Sequence, residues 1–134
     1  MTDNPSEQLV EHAIAAAQHA YCPYSHFSVG AALLDCDGQL FVGVNVENAS
    51  YGLTLCAERN AFVSAITEGS RQFAAIAIVA ETLPSPCGAC RQVMTEFCDP
   101  DFKIILATFN EPTTLHIYTL EELLPHAFSL KQNP

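Results

Sequence analysis

Three cysteines in the chain have the spacing expected of metal ligands: Cys56, Cys87 and Cys90. Cys87 and Cys90 are three residues apart at the start of a predicted helix, so both sulfurs would lie on one face of its first turn. Cys56 begins another predicted helix, and unpaired N–H groups and the helix dipole favour thiolates at both helix starts. Three thiolates leave one position open on a tetrahedral ion, as in catalytic zinc sites, and soft sulfur favours zinc over magnesium or calcium.

The Cys-x-x-Cys pair alone does not decide between several kinds of site. It is equally typical of a redox pair or of half a structural zinc site, and a single cysteine is commonly a small buried hydrophobic residue. Glu58 favours catalysis, because zinc hydrolysis needs a carboxylate beside the activated water to move its proton. Taken by itself, Glu58 is better explained as a favourable charge in the first turn of a helix. Cys22, Cys36 and Cys98 lack metal-ligand spacing and are interpreted as structural, and no histidine shows a ligand pattern.

A second group of polar and aromatic residues could bind a small molecule. Asn45 and Glu47 are two residues apart at the end of a predicted strand, so their side chains face the same side. An amide beside a carboxylate suits sugar hydroxyls, which both donate and accept hydrogen bonds. The alternative interpretation of this pair is a solvated strand end. Phe27 taken alone is more typical of a core residue than of a stacking platform.

The elements that must position these residues follow the order α-β-β-α-β-α-β-β-α, which predicts a mixed five-stranded sheet with helices on its faces. The predicted helices are 5–20, 56–68, 87–97 and a short one from 119, and the predicted strands are 27–34, 39–46, 73–80, 103–108 and 114–118. Thr54 is the predicted cap of the second helix, Gly69 its predicted end, and Thr119 with Glu122 forms a predicted capping box. A strand between the second and third helices could bring their N-termini together at one edge of the sheet.

The composition predicts one globular domain over residues 1–134, with 49% hydrophobic and 15% charged residues. The net charge is −10 and no basic stripe is present, so binding to nucleic acid has little electrostatic support and a small neutral or cationic partner is favoured. We expect no secretory signal and no membrane span, because no stretch approaches the ~20 apolar residues that a span needs. A cytoplasmic location follows as the expectation, and in that reducing environment clustered cysteines are typically metal ligands or catalytic thiols.

Two segments together resemble the paired signature of cytidine deaminases: Cys56-Ala57-Glu58-Arg59 and Pro86-Cys87-Gly88-Ala89-Cys90-Arg91-Gln92. The resemblance continues through 20–27, 29–32 and 45–54, and it covers nearly the whole chain. Only residues 99–114 depart visibly from the family's pattern, and they carry no motif residue.

The resemblance implies a three-layer α-β-α fold and the short, homotetrameric form of the enzyme. The implied reaction is zinc-dependent hydrolysis of free cytidine, and of 2′-deoxycytidine, to uridine or deoxyuridine and ammonia in pyrimidine salvage. One zinc ion per chain would be held by Cys56, Cys87 and Cys90, with Glu58 as the acid and base. The implied substrate contacts are Phe27 stacked on the base, the backbone of Ala57 beside the pyrimidine, and Asn45 and Glu47 on the ribose. Three further positions would complete a neighbouring subunit's site: Ala49, Tyr51 and Phe128.

Three thiolates and one Zn²⁺ sum to a charge of −1, which would weaken the metal's ability to acidify water. Arg59 and the helix N-termini are predicted to offset this charge, whereas Arg91 is either a second helper or a structural residue. Glu58 would move one proton from water to N3 of cytosine, and would then move another proton to the departing amino group. Two alternatives stay open: an enzyme acting on another cytosine compound, such as a nucleoside antibiotic, and a non-catalytic zinc or redox module. Ala89 and Phe27 favour the nucleoside enzyme, and Glu58 would have no purpose in the module.

Overall fold

A five-stranded mixed sheet forms the centre of the computed structural model, which describes residues 3–131. The strands are β1 (Gly30–Asp35), β2 (Leu40–Val44), β3 (Phe73–Ala80), β4 (Lys103–Thr108) and β5 (His116–Thr119), in the spatial order β2-β1-β3-β4-β5. β3 and β4 are parallel, and the other neighbouring pairs are antiparallel. The mixed sheet predicted from the order of the elements is therefore confirmed.

Helices cover both faces of this sheet. They are α1 (Pro5–Ala17), α2 (Ala57–Thr67), α3 (Gly88–Phe97) and the short α4 (Leu120–Leu123), with a 3₁₀ turn at Tyr51–Leu53. Successive residues of β3 point to opposite faces, so Ala77 and Val79 pack under α1 while Ile76 and Ile78 pack under α2 and α3. This arrangement confirms the three-layer α-β-α architecture. None of the helices formed by residues 3–131 has the length and apolar character needed to cross a membrane.

The core between the sheet and helices α2 and α3 is built around a fully buried aromatic ring. Phe62 of α2 lies 5.2 Å from the ring centroid of Phe73 and 6.1 Å from those of Phe97 and Phe102. Burial of a Phe side chain stabilises a fold by about 1.5–3 kcal/mol, and aromatic pairs add about 0.5–1.5 kcal/mol. These contacts fix α2 and α3 to the sheet, so the N-termini of both helices are held rigidly.

Three local predictions concern the ends of the helices. Helix α2 is capped by Cys56 and not by Thr54, whose hydroxyl instead accepts a hydrogen bond from the N–H of Asn48 at 3.2 Å. The prediction that Thr54 caps the helix was therefore wrong, because a loop contact already occupies its oxygen. Gly69 follows the end of α2 with φ +95°, and Thr119 forms the predicted capping box with Glu122.

Several predicted boundaries also differ from the observed ones. α1 ends at Ala17 and not near residue 20, α3 begins at Gly88 after the cap Cys87, and β5 begins at His116. β1 begins at Gly30 and not at residue 27. The Asn45 side chain binds the Phe27 carbonyl and the Val29 N–H, so these two groups take no part in the strand pairing that begins at Gly30. The predicted strand therefore loses its first residues to a side-chain contact.

Candidate metal centre and active site

The three predicted metal ligands lie together at the N-termini of α2 and α3. Cys56 and Cys87 are the cap residues of these helices, and neither uses its side chain in a capping hydrogen bond. The sulfurs of Cys56, Cys87 and Cys90 all lie within 4.8 Å of one another, and those of Cys87 and Cys90 are 3.6 Å apart. Three convergent sulfurs with no competing capping bond fit a tetrahedral zinc ion with one open position. We call these residues the cysteine cluster.

Charge at the cysteine cluster is stabilised by a neighbouring cation. Arg59, one turn along α2, donates from Nη2 to the Cys56 sulfur at 3.4 Å. A hydrogen bond from the Cys90 thiol, reinforced by the Arg59 guanidinium, lowers the pKa of Cys56 to about 5. That same hydrogen bond, together with burial, raises the pKa of Cys90. Arg59 thus lies where electrostatic support was predicted.

Arg91 has a structural position. Its guanidinium donates to the carbonyls of Pro86 and Leu123 and to the Ser85 hydroxyl, at 2.8, 2.5 and 2.8 Å. These contacts tie the extended segment before α3 to the C-terminal helix α4. Arg91 therefore positions the approach to Cys87 and directs its charge toward backbone carbonyls.

Glu58 is buried beside the cysteine cluster, with 5% of its surface exposed. It is the second residue of α2, whereas Cys56 precedes the helix as its cap. This placement explains how two residues so close in sequence reach the same space, since only Glu58 follows the helical geometry. Burial is the main reason that the pKa of Glu58 is raised, and the charge of Cys56 adds to the effect. A carboxyl group with a raised pKa is suited to accepting and returning protons near neutral pH.

A cavity of about 240 Å³ joins the cysteine cluster to the predicted substrate residues, and we call it the main cavity. Its lining residues are Phe27, Val29, Asn45, Thr54, Leu55, Cys56, Ala57, Glu58, Pro84, Ser85 and Cys87. Phe27, Asn45 and Ala57 were all predicted from sequence to contact a substrate. Pro84 and Ser85 were not, although the Pro-Ser-Pro run just before the Cys-x-x-Cys pair indicated an extended segment beside it.

Asn45 is a wall of the main cavity and also part of its support. It is 9% exposed; its Nδ2 donates to the Phe27 carbonyl at 2.8 Å, and its Oδ1 accepts from the Val29 N–H at 3.0 Å. A side-chain amide has two N–H groups and two acceptor lone pairs, so one donor and one acceptor are left for a ligand. Asn45 lies just beyond β2, which ends at Val44.

Glu47 does not line the main cavity but an adjoining outer depression of about 390 Å³. The lining residues of the outer depression are Tyr24, Ser25, Glu47, Asn48, Tyr51 and Thr54. Thr54 belongs to both hollows, so they are neighbours. The Glu47 carboxylate accepts hydrogen bonds from the N–H groups of Tyr24 and Ser25 at 3.0 and 3.2 Å, and from the Ser25 hydroxyl. The Ser25 hydrogen bond is the main reason that the pKa of Glu47 is lowered.

The three predicted cross-subunit residues lie on the surface of the chain. Tyr51 is 78% exposed and Phe128 is 67% exposed, and Ala49 is also exposed. Tyr51 borders the outer depression, with its ring edge-on to Tyr24 at 6.4 Å between centroids. Ala49 and Phe128 line neither hollow of their own chain.

Comparisons with known proteins agree with this site. Residues 3–106 match the family model described as the cytidine and deoxycytidylate deaminase zinc-binding region. The chain is 52% identical over 126 residues to a cytidine deaminase of Halalkalibacterium halodurans, covering 92% of this chain and 93% of that protein. It is 40% identical over 136 residues to the cytidine deaminase of Mycobacterium tuberculosis, covering 100% of this chain and 97% of that protein.

A solved structure gives the same result for the fold. The crystal structure of cytidine deaminase from Burkholderia pseudomallei superposes with a TM-score of 0.87 and 49% identity, covering 96% of this chain and all of that one. The similarity in sequence and in structure confirms the family resemblance, the fold class and the zinc-binding domain that the sequence indicates.

Proposed function

Since the chain belongs to the cytidine and deoxycytidylate deaminase family, we propose that it hydrolyses free cytidine to uridine and ammonia. We extend the proposal to 2′-deoxycytidine, and to a role in pyrimidine salvage. The observation that carries the proposal is the main cavity, whose lining combines Cys56 and Cys87 of the cysteine cluster, the buried carboxyl group of Glu58 and the aromatic side chain of Phe27. A non-catalytic zinc or redox module has no need for the buried Glu58.

The residues around the cysteine cluster fit this reaction. Cys56, Cys87 and Cys90 would hold one zinc ion, which supplies Lewis acidity and lets water act as a nucleophile near neutral pH. Arg59 balances the excess negative charge of the sulfurs through its hydrogen bond to Cys56.

Glu58 moves the protons. It accepts one proton from the attacking water, whose oxygen bonds to C4 of the cytosine ring, and delivers that proton to N3. It then carries the second proton, from the new hydroxyl on C4, to the amino group. The C4–N bond breaks, ammonia leaves, and the C4 oxygen becomes the carbonyl of uridine. The burial of Glu58 beside Cys56 raises its pKa, so the group holds a proton more readily than an exposed carboxyl group does.

The other cavity residues bind the nucleoside in this proposal. Phe27 stacks on the pyrimidine, and the backbone of Ala57, at the first turn of α2, contacts the base. Asn45 keeps one donor and one acceptor for a sugar hydroxyl, and Glu47 reaches the sugar from the outer depression.

We also propose that the chain forms a homotetramer whose sites are completed across subunit interfaces. The support is the exposure of Ala49, Tyr51 and Phe128 together with large apolar side chains such as Leu53, which is 66% exposed. Exposed apolar patches are typical of protein interfaces, and Ala49, Tyr51 and Leu53 are close together in the sequence. Light scattering at micromolar concentration is expected to give about four chain masses. An active monomer would rule out shared sites.

The remaining parts of the proposal concern the chain as a whole. Residues 1–134 form one deaminase domain, and the protein works in the cytoplasm on small nucleosides without binding membranes or nucleic acid. The net charge of −10 and the lack of a basic stripe in the sequence support the proposal that the protein does not bind nucleic acid.

The proposed function is tested by following the loss of ultraviolet absorbance when cytidine is mixed with the purified protein. Zinc-loaded protein is expected to convert cytidine to uridine with release of one ammonia per turnover. Glu58→Gln serves as the matched control, because it keeps the shape of the main cavity and removes the proton carrier. Equal conversion by both proteins would contradict the proposed role of the cavity.

A further inference from the structure

Ser25 links the two hollows of the site. Its hydroxyl donates to the Glu47 carboxylate and accepts a hydrogen bond from the Phe27 N–H at 3.0 Å. Glu47 lies in the outer depression, whereas Phe27 lines the main cavity. One hydroxyl group therefore connects the proposed sugar-binding carboxylate to the proposed base-stacking residue.

The segment that carries Ser25 and Phe27, residues 24–29, is held mainly by side chains, and we call it the aromatic loop. Glu47 binds two N–H groups at its start, and Asn45 binds the Phe27 carbonyl and the Val29 N–H at its end. Between them His26 adopts φ +59°, a left-handed conformation that turns the chain. Glu47 and Asn45, which hold the aromatic loop, are thus the two residues proposed to contact the sugar.

We propose that Ser25 is a positioning residue, which fixes the Phe27 ring and the Glu47 carboxylate relative to each other so that base stacking and sugar binding act together. This inference rests on the proposed function. It assigns Ser25 no contact with the reacting atoms, because its hydroxyl is engaged with Glu47 and Phe27 and it does not line the main cavity.

The hydrogen-bond capacity of Glu47 limits what it can offer to a substrate. A carboxylate has about four acceptor sites, and the aromatic loop occupies three of those on Glu47. One site is left, and the hydrogen bond from Ser25 fixes its direction. Without the hydroxyl the Phe27 N–H loses its acceptor and the carboxylate can turn, so the two contacts with a nucleoside no longer fit simultaneously.

The test is a comparison of KM and kcat for cytidine in Ser25→Ala and in wild-type protein. We expect KM to rise by about tenfold, which is the effect expected from losing a hydrogen bond to a charged group. The value of kcat should change less than about threefold. Ser25→Thr keeps the hydroxyl and is expected to restore KM to within about threefold of wild type. Should Ser25→Ala fail to fold, Ser25→Cys repeats the test with a similar size and a weak donor.

Ser70→Ala is the matched control. Ser70 also donates from its hydroxyl to a carboxylate, Asp35, at 2.7 Å, but it follows the C-terminal end of α2 and lines neither hollow. It is expected to leave KM unchanged. An equal rise of KM in Ser70→Ala and Ser25→Ala would mean that general loosening of the fold is responsible, and would overturn the inference.

A double-mutant cycle with Glu47→Gln separates positioning from independent effects. If Ser25 acts through Glu47, the effect of Ser25→Ala on kcat/KM should shrink to about twofold when Glu47 is already replaced. An undiminished tenfold effect, or an unchanged KM in Ser25→Ala alone, would refute the inference and leave the proposed function standing. A wild-type protein that does not turn over cytidine would refute both.

Discussion

The cysteine cluster and the aromatic loop are positioned by two different kinds of structure. The cluster sits on the first turns of two helices that are fixed to the sheet by a buried aromatic core. The aromatic loop has little backbone pairing of its own and is held by the side chains of Asn45 and Glu47. The part of the site assigned to chemistry is therefore built into the core, while the part assigned to recognition depends on a few hydrogen bonds from two side chains.

The close packing of α2 makes this contrast sharper. A Cβ at Gly43 would overlap the backbone of Ala57 and Asn60 together with the Ala61 N–H, so β2 approaches the first turn of α2 without an intervening side chain. The Asn60 side chain also donates to the Val44 carbonyl at 2.8 Å. Movement at the cysteine cluster would require the sheet to move as well, whereas the aromatic loop is held by hydrogen bonds from the Asn45 and Glu47 side chains.

The largest expected effect follows from removing a metal ligand. Cys90→Ala should abolish activity and lower zinc content from about one ion per chain to nearly none, because two sulfurs cannot hold the ion in a tetrahedral site. Zinc is measured by elemental analysis of the purified protein. Cys98→Ala is the control, since Cys98 packs against the same core but lies outside the cluster. A metal-free Cys90→Ala protein with full activity would remove the basis for zinc catalysis.

The second prediction separates chemistry from metal binding. Glu58→Gln should keep zinc and the fold while lowering kcat by ~10²–10⁴-fold, because the amide cannot accept and return a proton. Steady-state kinetics with cytidine and elemental analysis test it together. The exposed Glu68, at the other end of α2, provides the control Glu68→Gln, which should behave as wild type. More than a tenth of normal kcat in Glu58→Gln would show that another group moves the protons.

The third prediction concerns substrate charge at the recognition side. Cytidine should be used more than tenfold better than CMP or a short single-stranded oligonucleotide, measured as kcat/KM at one salt concentration. A phosphate would approach a protein of net charge −10, and residues 47–55 contain no lysine or arginine. Four of the five cations are engaged in other contacts: Arg59 with Cys56, Arg71 and Arg91 with backbone carbonyls, and Lys131 with Glu96.

The neutral 2′-deoxycytidine is the control for that experiment, since it lacks the phosphate and differs from cytidine by one hydroxyl. Its use at a rate comparable to cytidine would show that a small change in the sugar does not by itself cause discrimination of this size. Use of CMP within tenfold of cytidine would contradict the electrostatic argument and the substrate assignment with it.

The contrast between the two regions also explains what could be predicted from sequence. The cysteine cluster was predictable because its spacing is local: a three-residue separation on one helix turn, and Glu58 two residues after Cys56. The order of helices and strands along the chain was predictable because each element carries its own pattern of apolar residues. The capping role of Cys56 was not predicted, although it accounts for the position of Glu58.

The supports of the aromatic loop could not be predicted in this way. Ser25 and Glu47 are 22 residues apart in sequence, and Asn45 and Phe27 are 18 apart, so only the folded chain brings them together. Polar residues at such separations show no periodicity that indicates a contact. The Asn45 contacts also made β1 shorter than predicted, because its side chain occupies the Phe27 carbonyl and the Val29 N–H.

The smallest expected effects compare two carboxylates, one in the body of the fold and one in the recognition region. Asp35 is 3% exposed and accepts hydrogen bonds from the Asp37 and Gln39 N–H groups and the Ser70 hydroxyl, which lower its pKa. Glu47 has a similar set of donors at the surface. Asp35→Asn should therefore lower Tm by a few degrees at neutral pH with KM unchanged, whereas Glu47→Gln should raise KM with a smaller change in Tm.

The dependence on pH tests whether ionisation of Asp35 is the cause. A lowered pKa in the folded state means that the ionised carboxyl stabilises the fold above the unfolded pKa of 3.8, and that this contribution is lost as pH falls through the folded pKa. The difference in unfolding free energy between wild type and Asp35→Asn should thus be constant from about pH 7 to 5 and shrink below about pH 4. Denaturant titrations across this range measure it. A free-energy difference that persists undiminished in acid would mean that the charge of Asp35 contributes nothing to stability. The hydrogen bonds of Asp35 would then support its turn whether or not the carboxyl group is ionised.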